Sequence, residues 1–179
     1  MVVDGSFNLI VSTFRFREED ACNEVLDILD GFGDPDAEAE ITHVTGLILV
    51  RTSADPFRVV ERLKELVAQE PWQVRYILRA LPVEKVVPAP VELEDIQGAA
   101  GELASKKMGT DETFRITVEK RHSPLHSREI IDYVAEAIKR KVNLDNPDWI
   151  VLVEIIGRHA GVSVLRPGQM FSAVVEKRG

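Results

Sequence analysis

The sequence of 179 residues predicts an α+β protein made of two modules. Three observations carry this. Short apolar strands and amphipathic helices alternate through the first half; a segment with Pro82, Pro88 and Pro90 breaks the pattern; and a second set of helix and strand patterns follows it. No apolar run approaches the ~20 residues a membrane-spanning helix needs, so the apolar residues are available for cores.

The first module reads strand, helix, strand, strand, helix, strand. Residues 7–13 are almost continuously apolar. After an acidic turn, Ala21, Val25, Ile28, Leu29 and Phe32 recur at helical spacing, and Gly33 with Pro35 ends that helix. Ala39–Val44 and Leu47–Thr52 flank Thr45-Gly46, a hairpin turn in which glycine tolerates positive φ. Asp55 as N-cap and Pro56 at the first helical position start a second helix with Phe57, Val60, Leu63 and Val67 on one face. Alternation over 73–80 predicts the closing strand. The βαββαβ order implies a ferredoxin-like sandwich over residues 1–81.

Prolines fix φ and remove backbone donors, so 82–91 is expected to be an extended connector opening the second module, 82–179. Leu93, Ile96, Ala100 and Leu103 mark its first helix, which Lys106-Lys107 and Gly109 end. Strand 113–121 follows, then a turn at Pro124. Ser127 is the expected N-cap of a helix carrying Ile131, Val134, Ala135, Ile138 and Val142 and closing at Lys139-Arg140-Lys141. Trp149–Ile156 is apolar on both faces except at Glu154, the mark of an interior strand. Gly157–Gly161 reverses the chain into Val162–Leu165.

Composition bounds the function. With 45% hydrophobic and 29% charged residues the chain can build ordinary cores. Its start, Met-Val-Val-Asp, lacks a basic segment leading into an apolar one, so the expected location is the cytoplasm. The single cysteine, Cys22, has no disulfide partner in the chain, and a packed small residue explains it better than a redox nucleophile. The net charge of −8 conceals an asymmetry: residues 1–100 hold 9 Lys and Arg against 19 Asp and Glu, whereas 101–179 hold 13 against 11. Screening over about 8 Å at physiological salt lets a local basic site survive distant acidic residues.

That basic site is expected around strand 113–121. Alternation puts Arg115, Thr117, Glu119 and Arg121 on one face, and Lys120, Arg121, His122, Ser123 and Arg128 surround the exit turn. Guanidinium forks suit phosphates, and flat side chains suit unstacked bases. A solvated edge with Glu119 and Glu129 as ion-pair partners explains the same residues. Lys139 and Lys141 fit a helix C-terminus as well as an RNA contact, and Arg158 stands in the last hairpin turn.

Asn143, Asp145, Asn146 and Asp148 lack the glycine and closing Glu of a calcium loop and read as turn residues. His122 and His126 are separated by Pro124, which spoils a zinc helix. Phosphate loops, dinucleotide fingerprints, paired cysteines and nucleophile elbows are all missing from the sequence. No metal, no cofactor and no catalysis of its own are therefore expected.

Several separated blocks resemble the THUMP domain, an RNA-binding module found attached to tRNA-modifying enzymes. They are Thr113-Phe114-Arg115-Ile116 running into Lys120-Arg121-His122-Ser123, then Ser127-Arg128-Glu129-Ile130-Ile131, Val142–Asp148, Val151–Ile155 and Gly161–Val164. Upstream, Phe7–Thr13, Gly46-Leu47, Asp55-Pro56 and Leu81–Glu84 resemble the free-standing THUMP adaptors of tRNA cytidine acetylation.

The resemblance implies a tRNA-binding adaptor whose THUMP module holds the acceptor end and presents the tRNA to a separate RNA cytidine acetyltransferase. The expected RNA-binding residues are Arg115, Lys120, Arg121, His122, Ser123 and Arg128, with Lys139, Lys141 and Arg158 as flanking phosphate contacts. A homodimer is compatible with this, and no membrane partner is expected. The alternative class is a ferredoxin-like module that binds a small ligand or a protein and has no RNA function.

Overall fold

The computed structural model describes residues 5–178. It divides into two compact units: one runs up to Val83 and resumes from Gly168, and the other is Glu84–Pro167. The fold is α+β with two five-stranded sheets.

The first unit runs β1 (Leu9–Ser12), α1 (Glu18–Gly31), β2 (Glu38–Ile41), β3 (Leu47–Arg51), α2 (Pro56–Gln69) and β4 (Arg79–Pro82). Asp55 caps α2 by accepting the Phe57 N–H at 2.9 Å, with Pro56 opening the helix as predicted. The helices lay Ala21, Val25, Leu29, Val60, Leu63 and Val67 over Leu9, Val11, Ile48 and Val50 of the sheet. Each such side chain, fully buried, contributes about 1.5–3 kcal/mol. Deep in this unit Asp34 accepts the Thr52 hydroxyl at 2.6 Å and the Ser53 N–H at 2.8 Å. Those bonds, the Thr52 hydroxyl foremost, lower its carboxyl below the usual range despite burial.

The predicted strand 73–80 is replaced by a 3₁₀ turn at Pro71–Gln73 and a strand that starts only at Arg79. The cause is Glu24, whose carboxylate accepts the N–H groups of Arg75, Tyr76 and Ile77 and so removes them from any ladder.

The second unit runs β5 (Lys85–Val87), α3 (Leu93–Lys107), β6 (Thr113–Arg121), α4 (Ser127–Glu136), β7 (Lys141–Val142), β8 (Trp149–Ile156) and β9 (His159–Leu165), with sheet order β5-β9-β8-β6-β7. Ile96, Ala100 and Leu103 of α3 and Ile130 and Val134 of α4 pack with Phe114, Val151, Val153, Ile155, Val162 and Val164. Every residue of β8 is buried, so the interior strand read from its apolar faces is observed.

Three expectations for this unit need correction. The connector 82–91 is not wholly extended linker, because Lys85–Val87 pairs antiparallel with Ala160–Val162. Helix α4 stops at Glu136 rather than Lys141: Arg140 donates to the carbonyls of Gly109 and Met108, and Lys141-Val142 instead form a parallel pair with Thr113-Phe114. Ser127 is the first helical residue; His126 holds the N-cap position, with no side-chain hydrogen bond there.

The tail departs from the expected division as well. Residues assigned to the second module return to the first, where β10 (Phe171–Ser172) pairs with Ala80 and Arg79 of β4. α5 (Ala173–Arg178) follows, and Lys177 donates to the Val74 carbonyl at 2.7 Å. Phe171 is fully buried. Among the described residues no helix is long and apolar enough to cross a membrane.

Candidate nucleic-acid interface

β6 is held on one side and open on the other. It pairs in parallel with the whole of β8, but with β7 only at Thr113 and Phe114. Among the described residues no strand covers its outer edge beyond that point. Alternation sends Phe114 into the core with Ile116 and Val118 against it, and Arg115, Thr117, Glu119 and Arg121 to the other face. At the exit, the Arg121 carbonyl accepts the Gly157 N–H at 2.9 Å, and the chain turns through His122 in the left-handed region, φ 57°.

Because β6 and β8 are parallel, their C-terminal ends lie side by side. The turn after β8, with Arg158, therefore shares one end of the sheet with Lys120–Ser123, and Arg128 follows in the first turn of α4. Lys120, His122, Arg128 and Arg158 are exposed; Arg121 and Ser123 are half-buried. Lys120 Nζ donates to the Leu125 carbonyl at 2.7 Å and Ser123 Oγ accepts the Leu125 N–H at 3.2 Å, so these two residues also shape the turn. Arg128 lies 3.3 Å from Asp132, an exposed pair of small energy that competes weakly with a phosphate.

Arg121 stands apart from its neighbours. Its guanidinium lies 3.5 Å from the carboxylate of Glu154, a side chain only 1% exposed. Compensation of a carboxylate taken out of water is its first structural role, and the part left at the surface is 23% of the side chain.

The other expected residues fall at the opposite end of β6. Lys141 stands beside Thr113, Lys139 is exposed just before it, and Arg115 donates to the Leu144 carbonyl at 3.0 Å. Thr113 and Arg121 are separated by roughly 26 Å at the usual strand rise. The candidate residues thus form two groups: Lys120, Arg121, His122, Ser123, Arg128 and Arg158 at the exit, and Arg115, Lys139 and Lys141 at the start.

The start of β6 is fastened by polar side chains. Asn143 Oδ1 accepts the N–H groups of Asp145 and Asn146, and Asp148 accepts that of Thr113 at 2.8 Å, so these residues serve turn and strand ends as their types suggest. Glu112 accepts from Trp149 Nε1 at 2.9 Å, from the Gly109 N–H at 2.7 Å and from Arg166 at 2.7 Å. These bonds, Trp149's foremost, hold its carboxyl at about 2. The Arg166 guanidinium lies 3.7 Å from the Trp149 ring centroid, a cation–π contact that completes the clasp. Among the described residues, no three His, Cys, Asp or Glu side chains gather where a metal ion could be held.

One feature of the first unit was passed over in the sequence. Phe14-Arg15-Phe16-Arg17, between β1 and α1, is exposed at all four positions. Its signal is the alternation of aromatic and basic residues where an apolar strand gives way to an acidic helix start.

Residues 91–165 match the family model of the THUMP domain, so the second unit carries a THUMP domain that contains the whole exit cluster. No curated protein matches the sequence. Similar solved structures include PH1313 from Pyrococcus horikoshii Ot3, with a TM-score of 0.68 and 23% identity over 89% of this chain and 54% of that one. TrmN from Thermus thermophilus gives 0.61 and 20% over 89% and 46%. A 4-thiouridine synthetase solved in complex with RNA and bound ATP gives 0.61 and 15% over 89% and 41%. At these identities the likeness is one of fold, and the chain spans about half the length of these proteins or less.

The comparison overturns the expectation that the protein is not an enzyme. That expectation rested on catalytic motifs missing from 179 residues. The same fold stands within enzymes such as the 4-thiouridine synthetase, of which the matched part covers 41%. A motif missing from a stretch of this size says nothing about catalysis.

Proposed function

We propose that the chain binds tRNA through its THUMP domain, holding the acceptor end at the exit of β6 and β8, and presents that tRNA to a separate RNA cytidine acetyltransferase. The observation that carries this reading is the exposed cationic group Lys120, Arg128 and Arg158 gathered at one sheet end inside the segment that matches the THUMP model. Lys and Arg that neutralise phosphates release condensed counterions, and His122 offers a flat face for an unstacked base. Arg115, Lys139 and Lys141 extend the contact along the strand. The first unit, read as a ferredoxin-like sandwich, sets the distance from the acceptor end to the modified nucleotide. The whole would raise the effective concentration of tRNA at the enzyme.

The test compares intact tRNA with tRNA lacking its terminal unpaired residues. The truncated form should bind more weakly, and for about four neutralised phosphates on a single strand log K should fall against log salt with a slope of roughly −3. Acetylcytidine, measured by mass spectrometry of digested tRNA, should rise when the chain is added to the acetyltransferase. Equal affinity for both tRNAs with a flat salt dependence would remove the acceptor-end site; unchanged acetylcytidine would remove the presenting role.

A further inference from the structure

Phe14 is 49% and Phe16 84% exposed, the latter the most exposed large apolar side chain of the described residues. The turn they occupy is closed by the Arg17 N–H on the Phe14 carbonyl at 3.0 Å. Phe16 is the third residue of that turn, with φ 68°, the position at which a type II turn favours glycine. A bulky residue in the left-handed region is an outlier, and such strain persists where the surroundings or the function of a site require it. The side chain least suited to this backbone is thus also the one held out into water.

The arginines alternate with the rings. The Arg15 guanidinium lies 5.5 Å from the centroid of Phe16, and Arg17 reaches Asp20 at 3.3 Å. Three carboxylates follow, of which Glu18 is turned onto the Gly46 N–H at 3.0 Å. With these acids beside it the turn is a poor cradle for phosphate. Exposed rings interleaved with guanidinium planes are instead what takes up unpaired bases, because every base has a π-face and cation–π contacts add to the stack.

We propose that Phe14-Arg15-Phe16-Arg17 is a stacking site for the unpaired bases of an RNA strand, a second contact on the first unit that rests on the RNA-binding reading above. Phe14 and Phe16 supply the platforms, and Arg15 and Arg17 flank them. The bases are taken without regard to sequence.

The full chain is titrated with a short unpaired ribo-oligonucleotide carrying 2-aminopurine, whose emission is quenched when it stacks. Wild type should quench it. Phe14→Ala with Phe16→Ala should lose the quenching and bind at least about fivefold more weakly, with the salt slope unchanged because no phosphate contact has been removed. Phe14→Tyr with Phe16→Tyr should keep both. Phe16→Gly separates binding from folding: it should bind more weakly with a Tm no lower than wild type, since glycine relaxes the left-handed position. Undiminished binding and quenching in the double alanine variant overturn the stacking site and leave the THUMP reading standing; if that variant also fails to support the acetyltransferase, the turn is a protein contact. Failure of the wild-type chain to bind any RNA overturns both.

Discussion

The turn from β1 into α1 and the turn from β6 into α4 carry the chain from an interior strand into a helix, one in each unit, and each holds a non-glycine residue in the left-handed region, Phe16 at 68° and His122 at 57°. Their chemistry differs. The first exposes two rings and runs into Glu18, Glu19 and Asp20; the second is flanked by Lys120, Arg121 and Arg128. The strand end is anchored by an acid in the first, through Glu18 on Gly46, and by a base in the second, through Arg121 on Glu154. RNA recognition has two parts, attraction to phosphate and contact with base faces. A search guided by charge finds only the second turn, because stacking leaves no mark on net charge.

The largest expected effect tests the anchor. Arg121→Ala should cost about 3 kcal/mol of stability, the lower end for removing one partner of a buried pair, as read by chemical denaturation. A loss no larger than that of an ordinary surface change would make Arg121 a plain RNA contact and erase the contrast with its neighbours. Next comes Lys120→Ala with Arg128→Ala. Both side chains are exposed, so stability should change by only about 0.5 kcal/mol. Affinity for tRNA should fall about tenfold and the salt slope by about 1. A fall in affinity with an unaltered slope would show that these two residues do not meet phosphate.

The backbones of the two turns can be compared directly. Phe16→Gly should gain about 1 kcal/mol by relieving the left-handed conformation, whereas His122→Gly should gain less because histidine enters that region more readily than a bulky aromatic. A reversed order in Tm would mean that the strain sits in the second turn. The smallest effect is acid sensitivity at the start of β6. The carboxyl of Glu112 is held at about 2, below its ordinary 4.5. The stability it contributes is therefore complete above the ordinary value and is lost as pH falls toward about 2. Glu112→Gln should flatten the decline of Tm between those limits, and an unchanged profile would show that the clasp on Trp149 and Arg166 does not depend on the charge.

What the sequence made legible was local chemistry with a single reading. Asp55-Pro56 could only open a helix, β8 had no polar face to show water, and Asn143 acts in the turn its type favours. What it concealed depends on partners far along the chain. The apparent strand at 73–80 gives up its N–H groups to Glu24, fifty residues earlier in the chain. The helix expected to reach Lys141 ends early because Arg140 finds the carbonyls at the end of α3 and Val142 finds Phe114. The basic cluster was legible as charge, but its division between two strand ends follows from the parallel pairing of β6 with β8. The exposure of Phe14 and Phe16 could not be read, because an aromatic residue after an apolar strand looks like more of the same strand.

The return of Phe171 to β4 has a bearing on how the protein is made. The first unit begins the chain, yet its sheet is completed by residues that leave the ribosome last, whereas Glu84–Pro167 is continuous. Contacts between segments so far apart in sequence form slowly, and synthesis proceeds at about 5–20 residues per second. During translation the RNA-binding half is therefore whole while the half before it still lacks an edge strand, and for those seconds the apolar surface that Phe171 will cover is the nascent chain's exposure to chaperones and to its neighbours on the same message.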